Sequence, residues 1–206
     1  MGRREAWEDI KSRLPESLLR ERDIGYLDPG IEEILEKLNS LPQLATTSTC
    51  IGRVMIVASR YPWERGDESS IVVYKTHDKV RIEDVLRTLS NNSFCYLWFK
   101  VSPPIFHVRV KSLECAQYLI EKARKFGFKH SGIISHNEVS GIVVELMSSA
   151  QLVSPLILDC VPLYRNSLSS IERLVDMSNE IVGINRERLN LFSQEISSEP
   201  GPCGSD

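Results

Sequence analysis

Apolar residues recur every three or four positions in several long stretches, a spacing that predicts amphipathic helices. An apolar stripe from Trp7 to Leu18 predicts a first helix, which we expect to be interrupted near Pro15. Asp28 and Pro29 are typical of a helix start, as the N-cap residue and the first helical residue. The predicted helices cover 2–23, 29–41, 79–90, 112–126 and 167–192.

Runs of β-branched and aromatic residues predict strands between these helices. The predicted strands cover 54–57, 71–77, 94–100, 105–110, 141–146 and 156–158. Thr46 to Arg53 is interpreted as a polar turn that leads into the first strand, and 193–206 as a flexible tail because of its Pro-Gly-Pro sequence. This order of elements indicates a single α+β domain with a mixed β-sheet and flanking helices.

Length and composition are ordinary for a soluble globular protein, with 206 residues, 42% hydrophobic and 26% charged. No apolar run in the sequence approaches the roughly 20 residues that a membrane-spanning helix needs. Met1 to Asp9 contains acids and a tryptophan where a signal peptide would be apolar, so we expect a cytoplasmic protein. The formal net charge of −3 gives no general attraction to nucleic acid, so a polyanion would need a local basic patch.

The cysteines are odd in number and widely scattered, and no Cys-x-x-Cys pair is present in the sequence. We therefore expect neither a disulfide framework nor a zinc or other metal site. Most of the cysteines are expected to pack as small apolar residues. The cysteines are Cys50, Cys95, Cys115, Cys160 and Cys203.

One part of this acidic chain is locally basic, the stretch from Trp98 to His130. Its cations are Lys100, Arg109, Lys111, Lys122, Arg124, Lys125 and Lys129. They are opposed there by Glu114 and Glu121 alone. The excess of positive charge favours a phosphate-rich partner, although lysines near a helix C-terminus are also favoured by the helix dipole.

The polar stretch before the first predicted strand carries candidate binding groups. Its hydroxyls can bind polar groups, Gly52 allows a ligand to approach the backbone, and Arg53 offers a planar fork for a carboxylate or phosphate. The alternative is a Ser/Thr-rich loop whose hydroxyls bond only to nearby backbone. Lys100 and His107 flank a proline corner, where the alternative is a surface lysine and a core histidine.

Taken in order, several short motifs resemble the tRNA wybutosine-synthesizing protein 3 family. The motifs are Asp28-x-x-Ile31, Asn39, Thr47 to Arg53, Phe99-Lys100 with Pro104, His107-Val108, Gly127 to Ile133, and Pro155-Leu156 before a long terminal helix. The resemblance covers about residues 24–192. It divides the chain into an N-terminal helical extension at 1–23, a catalytic α+β domain at 24–192 and the tail at 193–206.

The resemblance implies an S-adenosyl-L-methionine-dependent methyltransferase. Its substrate would be a ring nitrogen of the tricyclic wyosine-type base, a 7-aminocarboxypropyl-demethylwyosine type of precursor, next to the anticodon of tRNA(Phe). It also implies a family-specific α+β fold, and the sequence has no glycine-rich loop of the Rossmann type. Family members usually carry an acidic residue shortly before the Pro-Leu pair, where this chain has Gln151 to Ser154.

In this interpretation the candidate catalytic residues are His107 and Lys100. His107 is the first candidate for a general base, since the unperturbed pKa of imidazole lies near neutrality. Arg53 and Lys100 would pair with the cofactor carboxylate and an RNA phosphate. The remaining candidates for cofactor or substrate binding are Ser48, Cys50, Gly52, Ser131 and Gly132, and those for RNA binding are Lys122, Arg124, Lys125 and Lys129. Trp98, Phe99 and Phe106 are expected to be core residues rather than stacking surfaces.

Two other classes of function stay open on the sequence alone. One is a catalytically inactive tRNA- or nucleotide-binding α+β module of the same ancestry, in which the missing acidic residue reflects a lost activity. The other is a small-molecule or nucleotide-binding protein unrelated to RNA, which would not need the basic residues at 122–129.

Overall fold

A computed structural model describes residues 6–24, 27–64, 69–91, 93–164 and 167–204. The chain divides into two compact units that alternate along the sequence. Unit 1 comprises the described residues of 1–51, 104–149 and 186–206, and unit 2 those of 52–103 and 150–185. Within the described residues, no helix is both long enough and apolar enough to cross a bilayer.

The helices lie close to the predicted positions. They are α1 (Trp7–Asp23), α2 (Glu32–Asn39), α3 (Ile82–Ser90), α4 (Leu113–Lys125) and α5 (Leu168–Ser198). The strands are β1 (Leu44–Cys50), β2 (Arg53–Ser59), β3 (Ser70–Thr76), β4 (Leu97–Ser102), β5 (Ile105–Val110), β6 (Gly132–Asn137), β7 (Gly141–Met147), β8 (Leu152–Leu158) and β9 (Val161–Pro162).

Unit 1 contains sheet 1, in which the strand order is β1-β5-β7-β6 and every pair is antiparallel. One face of this sheet packs on α2, α4 and the part of α5 after residue 185, around Phe106, Leu119 and Phe192. Near Ala45, the other face of the sheet packs against Trp7 and Leu14 of α1. The apolar stripes of the amphipathic helices therefore supply the core of this unit.

Unit 2 contains sheet 2, with the order β3-β2-β4-β8-β9 and again only antiparallel pairs. Its core joins Ile56, Phe99 and Leu156 of the sheet to α3 and to α5 before residue 186. The predicted α+β class is confirmed. The strands of both sheets are antiparallel, whereas a Rossmann fold has a mostly parallel sheet. The strands form two antiparallel sheets instead of the one mixed sheet that we expected.

Several local predictions are wrong in detail. The hydroxyl-rich residues Thr46 to Cys50 are part of strand β1 and pair with β5. Threonine fits the pleated surface of a sheet well, which favours a strand here. The predicted turn is therefore confined to the residues after Cys50. Asp28 does not cap α2, whose N-cap is Ile31. Instead Pro29 and Gly30, at φ +78°, form a tight turn, and the Asp28 carboxylate accepts a hydrogen bond from the Ile51 amide at 2.9 Å.

Helix α1 continues through position 15 without the predicted interruption. At the other end of the chain, α5 extends to Ser198, and a 3-10 helix at Gly201–Gly204 follows in the segment that we expected to be flexible. Contrary to the prediction from spacing, Cys115 is bonded to Cys203, and Cys95 to Cys160. Cysteines 88 and 65 residues apart can meet only through the tertiary fold, which spacing along the chain does not show.

The ammonium of Lys11 holds α1 against the end of α2. Its Nζ donates hydrogen bonds to the carbonyls of Asn39 at 2.6 Å, Leu41 at 2.7 Å and Leu44 at 2.5 Å. Burial lowers the pKa of Lys11 to about 8, so the group is mainly protonated at pH 7. The lysine thus gives the Asn39 carbonyl, at the last residue of α2, the donor that a further helical turn would supply, and it joins α1 to the segment that leads into β1.

A second lysine, Lys122 of α4, binds the end of the chain. It is 7% exposed and forms ion pairs with Glu195 of α5 and with Glu199, the residue after that helix. Hydrogen bonds to these carboxylates raise the pKa of Lys122, and the hydrogen bond from Lys122 lowers the pKa of Glu199. The Tyr118 hydroxyl donates to the Glu199 carbonyl, so α4 and the terminal segment are joined by polar contacts as well as by the disulfide.

Replacement of Lys11 by Met is expected to lower the free energy of unfolding at pH 7 by about 1–3 kcal/mol, because three carbonyls each lose the hydrogen bond from Lys11. Urea titration followed by circular dichroism measures the change. Lys37→Met is the matched control, since Lys37 forms an exposed i,i+4 ion pair with Glu33 at 2.6 Å, worth at most about 0.5 kcal/mol. Equal losses in the two variants would contradict the proposed importance of Lys11.

The Lys122 ion pairs make stability depend on pH in the acid range. A glutamate whose pKa is lowered by folding stabilises the protein above its unfolded pKa of about 4.3, and this stabilisation is lost as the pH falls through the folded pKa. We expect Lys122→Met to be less stable than wild type at pH 7 and the difference to shrink toward pH 3. Thermal unfolding at a series of pH values tests this, and a difference that stays constant would refute it.

Candidate functional site

Strand β5 presents its polar residues on one face, as its period of two predicts. Phe106, Val108 and Val110 are buried, whereas His107 and Arg109 alternate with them and are partly exposed. Strand β7 repeats the alternation, with Val144 and Leu146 buried and Glu145 between them. The polar residues of both strands therefore share the face of sheet 1 that points away from the core on α4.

The register of sheet 1 brings four residues into one line across its strands. Ser48 of β1 is opposite His107 of β5, His107 is opposite Glu145 of β7, and Glu145 is opposite Gly132 of β6. We call this line the histidine row. Ser48, His107 and Gly132 are all residues that the sequence singled out, although they lie far apart along the chain. The structure brings these three together within unit 1.

His107 and Glu145 form a hydrogen-bonded pair. His107 Nε2 lies 3.0 Å from Glu145 Oε2, and the two side chains are 32% and 29% exposed. When Nε2 carries the proton and donates it to the carboxylate, Nδ1 retains a lone pair. A neutral imidazole held in this way is able to accept a proton from a ligand, and the carboxylate stabilises the imidazolium that results.

Sequence reasoning missed Glu145. Glu145 is the one acidic residue in the otherwise apolar stretch from Gly141 to Leu146. A single acid in an apolar strand was the sequence signal that could have identified it. The signal becomes informative only with the register, because the pairing of Glu145 with His107 is a property of the β5/β7 ladder.

The other predicted residues of unit 1 differ in how accessible they are. Ser48 is exposed, Cys50 is half-buried and takes part in neither disulfide, and a Cβ added to Gly132 would meet nothing within 4 Å. Ser131 is 5% exposed, and its hydroxyl donates to the Phe128 carbonyl at 2.6 Å and accepts from the Met147 amide at 3.2 Å. The Ser131 hydroxyl is thus used inside the fold, whereas Ser48 and Gly132 leave space for a ligand.

In unit 2 the structure brings together Arg53 and Lys100. Arg53 is opposite Ser102 in the β2/β4 ladder, and Met55, two residues further on, is opposite both Lys100 and Lys75. The cations Arg53, Lys75 and Lys100 therefore share one face of sheet 2. Gly52, which precedes Arg53, has φ +90°, a conformation that favours glycine, and its carbonyl lies 2.9 Å from His77 Nδ1.

The two predicted cations of unit 2 differ in their partners. The Nε of Arg53 is buried, and it makes no hydrogen bond with any residue that the structure describes. Lys100 donates from Nζ to the Pro62 carbonyl at 2.5 Å. A buried guanidinium nitrogen without an acceptor is costly, and a carboxylate or phosphate ligand would supply one.

The predicted RNA-binding cations separate into two groups. Lys122 is enclosed in its ion pairs, so binding a phosphate would require breaking them, and the geometry does not support the prediction for this residue. Arg124, Lys125 and Lys129 are exposed, and Arg124 also donates to the Ser131 carbonyl at 2.9 Å. The exposed three, at the end of α4 and just beyond it, form the basic patch of unit 1.

The aromatic residues named in the sequence are placed in or near the cores. Phe99 and Phe106 are buried, as predicted. Trp98 is half-buried, and its indole Nε1 donates to the Ser59 carbonyl at 3.0 Å. None of these three rings is a freely exposed stacking surface.

Comparison with known proteins connects this arrangement to one family. The model of the family described as Methyltransferase TYW3 matches residues 2–198. A relative from Aeropyrum pernix, named tRNA(Phe) 7-((3-amino-3-carboxypropyl)-4-demethylwyosine(37)-N(4))-methyltransferase, is 39% identical over 183 residues, which are 89% of this chain and 95% of the relative. A relative of the same name from Saccharolobus solfataricus is 32% identical and covers 93% of this chain and 90% of its own length.

Solved structures agree with the sequence comparisons. A protein from Pyrococcus horikoshii superimposes with a TM-score of 0.84 at 27% identity, covering 93% of this chain and 96% of its own. A protein from Aeropyrum pernix described as hypothetical superimposes with a TM-score of 0.75 at 36% identity, covering 83% and 98%. Since the family model and these relatives span nearly the whole sequence, the chain belongs to the Methyltransferase TYW3 family and is a methyltransferase.

Proposed function

We propose that this methyltransferase uses S-adenosyl-L-methionine to methylate a ring nitrogen of the 7-aminocarboxypropyl-demethylwyosine base next to the anticodon of tRNA(Phe). The proposal is supported by the Aeropyrum pernix and Saccharolobus solfataricus relatives, both of which are named for N4-methylation of that base at position 37 of tRNA(Phe). Within this chain, the observation that carries the chemistry is the hydrogen bond between His107 and Glu145.

His107 is the proposed general base. A ring nitrogen attacks a methyl group with its lone pair, and a nitrogen that carries hydrogen must lose that proton as the new bond forms. His107 Nδ1 accepts the proton while Nε2 stays bonded to Glu145, which is 3.0 Å away. Glu145 fixes the ring orientation and the tautomer, as a carboxylate does for a catalytic imidazole elsewhere.

The methyl donor would be held by groups that the fold leaves available. When bound, S-adenosyl-L-methionine supplies a methyl group on a positively charged sulfur, which keeps the electron pair of the broken carbon–sulfur bond. In unit 2, Arg53 fits the donor's carboxylate, since its buried Nε lacks an acceptor among the described residues, and Gly52 allows close approach to the backbone. In unit 1, Ser48, Cys50 and Gly132 remain proposals for contacts to donor or base.

The RNA would be held by the basic patch of unit 1. Arg124, Lys125 and Lys129 are exposed in a protein whose net charge is −3, so the local charge and not the global charge attracts phosphates. Lys100 remains a proposal for a phosphate contact in unit 2, with its hydrogen bond to Pro62 as its observed partner.

Wild-type protein is expected to transfer labelled methyl groups from S-adenosyl-L-methionine to tRNA(Phe) that carries the demethylwyosine precursor, and not to tRNA(Phe) without it. Loss of the base in His107→Ala is expected to lower kcat by about 10²- to 10⁴-fold. Glu145→Leu should lower kcat with little change in KM, and Glu145→Gln, which still accepts from Nε2, should retain more activity.

Glu138→Gln is the matched control, since Glu138 is an exposed acid of the same unit and should leave kcat unchanged. Methylation without the precursor base would contradict the proposed substrate. Full activity in His107→Ala would show that the wrong base has been assigned.

The basic patch is tested by the salt dependence of tRNA binding. Each phosphate contact contributes about 0.7 to 0.9 to the slope of log K against log salt, so the double variant Lys125→Gln/Lys129→Gln should reduce that slope by about 1.4 to 1.8. The control is Lys37→Gln/Lys79→Gln, which removes the same charge elsewhere. If both double variants change the slope equally, the patch has no special part in RNA binding.

A further inference from the structure

The loop after strand β2 carries a stacked pair of exposed aromatic rings. The centroids of Tyr61 and Trp63 are 4.9 Å apart, and their ring planes differ by 8°. The guanidinium carbon of Arg60 lies 5.6 Å from the Tyr61 centroid. Trp63 is 71% exposed and Tyr61 42% exposed, so most of the tryptophan surface faces water. We call these three residues the aromatic platform.

The platform is held in place by hydrogen bonds from its own unit. Ser59 Oγ donates to the Tyr61 carbonyl at 2.8 Å, and the Tyr61 amide donates to Glu64 Oε2 at 3.1 Å. Lys100 Nζ donates to the Pro62 carbonyl at 2.5 Å. The backbone that carries the rings is therefore fixed before any ligand arrives, which reduces the entropy lost on binding.

An exposed tryptophan on an ordered backbone requires an explanation. Tryptophan is largely buried in most proteins, and a fully solvated ring contributes little to folding. Trp63 packs on Tyr61 alone among the ring contacts of the described residues, and the pair presents a flat π surface with a cation beside it. Such surfaces bind unpaired nucleobases, which stack on aromatic rings and on guanidinium planes.

We propose that the aromatic platform of Arg60, Tyr61 and Trp63 binds an unpaired nucleobase of the RNA substrate by stacking on Trp63. The proposal rests on the proposed function, which supplies the RNA and whose target base lies in a single-stranded loop. In this proposal the platform binds a base of that loop, and proton transfer during methylation is carried out at the histidine row. Stacking of this kind tolerates different bases, because every base has a π face.

Charge favours RNA over a second protein as the occupant. Lys75 and Lys100 lie opposite each other across Met55 on one face of sheet 2, and Lys100 contacts the platform loop directly. A strand whose base stacks on Trp63 has these cations within the same unit for its phosphates. Of the acids of this loop, Glu64 accepts the Tyr61 amide hydrogen, which satisfies one lone pair of its carboxylate, and Asp67 and Glu68 lie outside the described residues.

The test measures the affinity of full-length protein for a fluorescently labelled, unmodified anticodon stem-loop of tRNA(Phe). Trp63→Ala removes one base–aromatic stack, so we expect this variant to bind the stem-loop about 5-fold to 140-fold more weakly than wild type. This range corresponds to about 1–3 kcal/mol, at about 1.4 kcal/mol per tenfold change in affinity. Trp63→Phe should restore most of the affinity. The weakening factor should be similar at 50 and 200 mM salt, since stacking involves no counterion release.

Controls separate a local effect from a global one. Met177→Ala removes another exposed apolar side chain of unit 2, 52% exposed, and should bind RNA as wild type does. A blunt-ended RNA duplex of two complementary strands, which offers no unpaired base, should bind Trp63→Ala and wild type equally. The melting temperature of each variant shows whether it folds.

Several results would overturn the proposal. Equal affinity of a folded Trp63→Ala and wild type for the stem-loop would do so, as would an equal weakening of binding to the blunt-ended duplex. Sedimentation in which Trp63→Ala dissociates a wild-type dimer, with RNA affinity unchanged, would make the platform a protein contact. Failure of the wild type itself to bind or methylate tRNA(Phe) that carries the demethylwyosine precursor would instead refute the proposed function.

Discussion

Phe106, Val108 and Val110 of strand β5 are buried in the core of unit 1, and their burial determines what the opposite face of the strand presents. Side chains alternate strictly along a strand, so a slip of one residue would expose all three and turn His107 into the core. Burial of each large apolar side chain stabilises the fold by about 1.5–3 kcal/mol, which makes such a slip very unfavourable. The position of His107 opposite Glu145 is thus maintained by residues whose side chains lie on the other face of the strand.

The same type of residue has different roles in this protein, depending on its surroundings. Lys11 and Lys122 are bonded to carbonyls and carboxylates of their own unit, and each joins a helix to another part of the chain. Lys125 and Lys129, by contrast, are exposed to solvent. Arginines differ likewise, since Arg53 has a buried nitrogen without an acceptor among the described residues whereas Arg124 donates to a carbonyl.

Much of the fold was accessible from local patterns. The apolar spacing located α4 and α5, and period two placed His107 and Arg109 on one face, because these features depend only on residues within a few positions of each other. The errors arose where distant parts of the chain decide local structure. Thr46 to Cys50 are a strand because β5 lies beside them, and Cys203 is ordered because Cys115 is its partner.

The candidate site likewise has features that the sequence determines and features that depend on contacts between distant residues. By itself the sequence determined the helices and strands, the polar faces of the strands, the family resemblance and most of the candidate site residues. These depend only on which residues are present and on how they are spaced along the chain. Only the tertiary structure decided that Glu145 meets His107, that Lys122 is enclosed, and that Tyr61 and Trp63 stack in solvent. These are contacts set by strand register, helix packing and loop conformation, and the spacing of residues in a sequence does not specify them.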